Sequence, residues 1–130
     1  MSVVRRHPPP VLLELYRDLA KAKRTGRLSV TVLDRAAERY QDRAIMGRVA
    51  REYSVGRFVE KDYPKAIRYY SKPMLFRSAG IKYYLAEIYL AEDNPDRDVE
   101  RGLKLLRVAA GEGDARAAAR LDALSQAPPG

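Results

Sequence analysis

The segment Tyr53–Pro73, YSVGRFVEKDYPKAIRYYSKP, decides how the chain is read. Tyr53 lies before a glycine, Gly56, and Ala66, Ile67, Tyr69 and Tyr70 follow an aspartate, Asp62. Glycine is suited to the left-handed conformation that ends a helix, and aspartate to accepting a hydrogen bond from the first-turn amides of the next one. Pro64 falls in that first turn, where its missing N–H costs nothing. The segment therefore reads as the turn of a helical hairpin with its tyrosines in the core. The competing reading, tyrosines stacked on nucleic-acid bases beside a basic loop, requires the same rings to be exposed.

Outward from this hairpin, apolar residues recur at three and four, and alternation at two is not sustained, so the expected fold is all-α. A first helix is expected over Val11–Arg24, ending before Gly26, and a second begins near Ser29 or Thr31, with Val32, Leu33, Ala36, Ala37 and Tyr40 inward. A third spans Arg43–Ser54 and a fourth follows Asp62. A fifth runs over Ser78–Ala91, Asp98 caps a sixth, and a seventh covers Asp114–Ser125. Pro8–Pro10 and the final APPG bound a single domain over residues 11–125, with flexible tips at 1–10 and 126–130.

Laid on itself, the chain matches at an offset of 36 residues: Val49 with Leu85, Tyr53 with Tyr89, Asp62 with Asp98, Lys65 with Arg101, Ala66 with Gly102, Tyr70 with Leu106. A helix-turn-helix unit of this period cannot bury its apolar face alone and stacks on its neighbours. The run Tyr53, Gly56, Val59, Asp62, Tyr63, Lys65, Ala66, Tyr69, Tyr70 and Lys72 resembles the Sel-one-like repeat of the tetratricopeptide superfamily. A second copy keeps Tyr89, Asp98, Ala109, Ala110, Gly113 and Ala115. The resemblance implies a short right-handed α-solenoid of about seven helices. Its parts would be a diverged hairpin at 11–41, repeats at 43–77 and 78–113, and a capping helix at 114–125. Phe58 replaces a loop glycine, EDNP replaces the glycine loop of the second copy, and Pro73–Phe76 breaks the pattern, where a longer or kinked turn with an apolar contact is expected.

Chemistry for catalysis is sparse. The chain has no cysteine and its one histidine, His7, lies in the proline-rich tip, so no Ser-His-Asp, Cys-His or histidine metal cluster is expected. Asp93, Asp96, Asp98 and Glu100 resemble the start of a calcium loop, but no central glycine follows and Arg107 stands where the bidentate glutamate belongs. They read as a solvated loop and an N-cap. No cofactor, no metal and no enzymatic activity are expected.

The net charge of +8 is uneven: residues 1–77 hold 18 basic against 8 acidic residues, and residues 78–130 hold 7 against 9. Such asymmetry suits an acidic protein partner or, alternatively, nucleic acid or another anionic surface. The apolar run after the first basic residues is only Val11–Leu13, so neither a signal peptide nor a membrane span is expected. A cytoplasmic setting follows, or a periplasmic one for a matured fragment. Eighteen arginines against seven lysines suggest a GC-rich bacterial source.

In the resembled family the first helices of successive hairpins line a concave face that binds proteins. That resemblance implies a non-enzymatic adaptor or scaffold whose partner-binding residues, by helical phase, are Arg48, Arg51, Glu52, Lys82, Tyr83, Glu87, Arg116 and Arg120. Exposed end faces would also allow self-association into a homo-oligomer.

Overall fold

Helix boundaries follow from a few residues acting within one turn. In the computed structural model, residues 30–39 and 42–126 are described, together with the isolated helical positions Leu13, Arg17, Ala20, Lys21 and Arg24. The described elements are all helical: α1 Val30–Arg39, α2 Arg43–Val55, α3 Tyr63–Tyr70, α4 Pro73–Phe76, α5 Ala79–Leu90, α6 Val99–Gly111 and α7 Ala115–Gln126. The expected helix at Val11–Arg24 lies outside the described residues apart from those five positions, as do Ser29, Tyr40, and residues 1–10 and 127–130 of the expected flexible tips. Gln126, assigned to the tail, closes α7 instead.

Asp42 starts α2 by accepting a hydrogen bond from the Ile45 amide at 3.1 Å, and Asp62 and Asp98 start α3 and α6 by accepting from Lys65 and Arg101 at 3.0 Å each. Such caps each stabilise a helix by about 1 kcal/mol. Gly56 ends α2 at φ 69°, and a side chain there would run into Lys61. The Pro73–Phe76 interruption is a single helical turn, α4, whose Leu75 is buried and lies 3.4 Å from where a Cβ on Gly47 would stand.

The 36-residue offset recurs in the backbone. The Asp62 amide donates to the Tyr53 carbonyl at 3.0 Å and the Asp98 amide donates to the Tyr89 carbonyl at 2.9 Å, so both interhelical loops close alike. Their interiors differ. The first loop turns on Gly56, whereas the second turns on buried Asn94, whose amide nitrogen donates to the Ile88 carbonyl and whose Oδ1 accepts from the Asp96 amide, both at 3.0 Å. Losing the glycine therefore changes how the loop is built and leaves its closure intact.

Packing runs mainly between sequence neighbours: α2 against α3, α5 against α6, α6 against α7, and α1 against α2, with α3 and α4 both touching α5. Ala50, Ala66 and Ala86 are fully buried at these contacts. Gly102, which lies 36 residues after Ala66, lets α6 approach α5 closely, because a Cβ there would lie 2.7 Å from Leu90 Cγ and 3.2 Å from the Ala86 carbonyl oxygen. Tyr53, Tyr63, Tyr69 and Tyr70 are all buried, so the rings of the opening segment have no face free for base stacking. Among the described residues no helix is long and apolar enough to cross a membrane.

Candidate functional site

On the side formed by α2, α5 and α7, two arginines meet one tyrosine. The Tyr84 hydroxyl accepts hydrogen bonds from Arg116 Nη1 at 2.8 Å and Arg51 Nη1 at 3.3 Å. Both guanidinium groups also lie near its ring, at 4.9 and 5.6 Å from the centroid, and Arg116 lies 4.7 Å from the centre of the Tyr83 ring. Cations favour the electron-rich face of such rings.

Each partner is held from below. Tyr84 stacks on buried Tyr70 with centroids 5.9 Å apart and planes 14° apart, and Tyr83 meets Tyr84 edge-on at 5.5 Å. Asp114 does double duty: one carboxylate oxygen accepts from the Ala117 amide at 2.9 Å and so caps α7, and the other accepts from Arg116 Nη2 at 3.0 Å. The Arg116 hydrogen bond is the main reason the Asp114 carboxyl sits below its ordinary pKa. Arg116 is in turn raised, first by Asp114 and then by Tyr84. Gly80 leaves room for this arrangement, since a Cβ at that position would stand 3.1 Å from Arg116 Nη2.

Of the residues expected on this face, Arg51, Tyr83 and Arg116 are brought together. Glu87 and Arg120 pair with each other at 3.0 Å on the same side, which satisfies both charges. Two expectations are corrected. Glu52 is only 2 % exposed: it points inward, where Oε1 takes Arg48 at 3.0 Å and Arg57 at 3.8 Å and Oε2 finds no partner. Lys82 turns to the other side of α5, where it pairs with Glu112 and lies 5.3 Å from the Phe76 ring centre. Arg48 is thus engaged by a buried carboxylate and does not belong to the tyrosine cluster.

Sequence reasoning placed Tyr83 on the binding face but not its neighbour Tyr84. The usable signal was Gly80, one turn before Tyr84 and 36 residues before Arg116. It missed two carboxylate hubs as well. Asp34 of α1 accepts from Tyr53 Oη at 2.6 Å, Lys65 Nζ at 2.9 Å and Tyr69 Oη at 3.2 Å. Desolvation raises the Asp34 pKa, but these three hydrogen bonds and the Lys65 charge outweigh it, and the carboxyl titrates below its usual value. Asp93 accepts from Lys61 Nζ at 2.7 Å and Tyr63 Oη at 2.6 Å, and those bonds, Lys61 first, hold it low. The acidic loop thus fastens onto the preceding hairpin through Asp93, while Asp98 caps α6.

A separate depression of about 590 Å³ lies between α1, α2, α3 and α4, lined by Ala37, Met46 and Met74 together with the charged Arg68, Lys72, Arg77 and Glu38. Among the described residues no three His, Cys, Asp or Glu side chains are grouped to hold a metal ion. The chain matches no protein-family model, no curated protein and no solved structure.

Proposed function

We propose that the chain is a non-enzymatic adaptor of the Sel-one-like, tetratricopeptide type, a short right-handed α-solenoid that binds an acidic segment of a partner protein. The binding face is the cluster of Arg51, Tyr83, Tyr84 and Arg116. The observation that carries this is the convergence of two guanidinium groups on one phenol oxygen, of which only Arg116 has a carboxylate partner among the described residues. Two like charges aimed at one point are better balanced by an incoming carboxylate, and guanidinium forks match carboxylates two bonds at a time. Arginine and tyrosine are also the side chains that most often dominate interface energetics. A bacterial source and a cytoplasmic setting go with this reading.

The experiment is affinity capture from the source cell, followed by titration of the purified partner against the parent chain and against the Arg51→Glu/Arg116→Glu variant. The expected loss of affinity is roughly 10- to 100-fold, the range for truncating well-packed charged contacts. Unchanged affinity overturns the choice of face.

A second reading, nucleic-acid binding through the basic N-terminal part, is favoured by Arg68, Lys72 and Arg77. They share one depression and form no ion pair among the described residues. It requires an affinity for DNA or RNA oligonucleotides that falls steeply with salt and drops further in the Arg68→Ala/Lys72→Ala/Arg77→Ala variant. Absence of binding at low salt removes it.

A further inference from the structure

The interruption at Pro73–Phe76 builds a second surface. A groove of about 560 Å³ runs between α4 and α6 over α5. Its floor is Leu85, Tyr89 and Leu105, and its lips carry Phe76 and Val108, which are 38 % and 42 % exposed. Single exposed apolar residues are ordinary on protein surfaces. Here two of them border one depression with an apolar floor, of a size that holds small ligands and side chains.

The charged side chains that line it are all basic. Lys82, at one end, is neutralised by Glu112, but Arg101 and Lys104 have no ion pair among the described residues. Arg101 instead donates to the Tyr89 hydroxyl at 3.3 Å and lies 5.2 Å from the centre of its ring. Lys82 lies similarly near Phe76, so a cation already attends each aromatic ring of the groove and the site is poorly suited to stacking bases.

We infer that this groove is a docking site for a partner protein segment that presents one large apolar side chain next to a carboxylate. The apolar side chain enters between Phe76 and Val108 and the carboxylate meets Lys104 and Arg101. At about 100° per residue, Lys82, Leu85 and Tyr89 lie on the side of α5 opposite Tyr83, Tyr84 and Glu87. The groove and the arginine–tyrosine cluster therefore open in different directions, and one chain can hold two segments at once. Phe76 also departs from its own repeat, since its counterpart 36 residues later is Glu112, so the groove belongs to this junction alone.

The test uses the full chain, labelled with nitrogen-15, and the capped synthetic peptide Gly-Asp-Phe-Leu-Asp-Gly, followed by two-dimensional amide NMR. Saturable shifts are expected at the amides of Phe76, Tyr89, Lys104 and Val108. Binding should weaken at least about tenfold, which is about 1.4 kcal/mol, in Lys104→Glu and in Val108→Glu, two exposed positions whose replacement should leave the circular dichroism spectrum unchanged. The Arg51→Glu/Arg116→Glu variant should bind as the parent does. No saturable shift in α4 or α6, or equal binding by Lys104→Glu, overturns the inference. Shifts confined to α2, α5 and α7 around Tyr84 overturn it too, while leaving the first binding face standing.

Discussion

Asp34 ties α1 to the rest of the molecule, and replacing it by alanine tests how much that tie contributes. Three donors converge on the carboxylate, at 2.6 Å from Tyr53, 2.9 Å from Lys65 and 3.2 Å from Tyr69. Both phenols are buried, at 2 % and 3 % exposure, so neither finds ready replacement by water. Each phenol left without its acceptor costs about 1 kcal/mol or more. The Lys65 pair is about a quarter exposed on both sides, which reduces its share to about 0.5 kcal/mol. Asp34→Ala should therefore lose about 2–3 kcal/mol, or about 6–15 °C in melting temperature for a chain of this size. Asp34→Asn, which keeps an acceptor and drops the charge, should lose about 1 kcal/mol. Urea unfolding followed by far-ultraviolet circular dichroism measures both. Because the folded-state pKa is depressed, this stabilisation is full above the ordinary carboxylate range and disappears as the pH falls through the lower folded value. The difference between parent and Asp34→Ala should accordingly shrink in acid. A cost for Asp34→Ala within about 0.5 kcal/mol of zero, the scatter of neutral surface changes, would refute the hub.

Glu52→Ile should leave stability unchanged or raise it by about 1–2 kcal/mol in the same assay, because it replaces a buried, half-satisfied carboxylate by the residue type that is buried 36 positions later, Ile88. A loss above about 1 kcal/mol would mean the Arg48 pair matters more than the burial penalty. Gly56→Ala should cost about 1–3 kcal/mol, since it combines a left-handed backbone with a clash against Lys61; a neutral result contradicts the turn geometry. Ultraviolet titration should show Tyr53 and Tyr70 ionising late. Burial pushes Tyr70 up to about 12, and burial together with the Asp34 bond pushes Tyr53 higher. The stability tied to these neutral phenols is present below their ordinary pKa and is lost as the pH rises through the raised folded values, so both should ionise only with alkaline unfolding. Ionisation of all tyrosines near pH 10 in the folded chain would contradict their burial.

What local sequence could say, it said well. Gly56, Asp62 and Asp98 mark helix ends as expected, because a cap acts on amides within its own turn and needs no distant partner. The positions matched at an offset of 36, Val49 with Leu85 and Ala66 with Gly102, are likewise all buried, and the small residues of the second pair permit a close helix approach. The all-α character follows from the same periodicity.

The site was less legible. Helical phase located Arg51, Tyr83 and Arg116 on one side, yet it also put Glu52 there and Lys82 with them. Phase gives the direction of a side chain relative to its own axis. Whether that direction meets water or another element depends on how far the neighbouring helix and loop reach, and Arg57 from the loop after α2 helps close over Glu52. Lys82 is drawn toward Glu112 across a separation of 30 residues. Asp34 and Asp93 read as ordinary solvated acids in the linear chain, and only the folded molecule brings Tyr53, Lys65 and Tyr69 to the one and Lys61 and Tyr63 to the other. The sequence by itself determined where helices begin and end, since that depends on interactions within a few residues. The tertiary structure decided which charges are buried, which are paired and which are left exposed, since long flexible side chains choose among neighbours that the chain brings together only by folding.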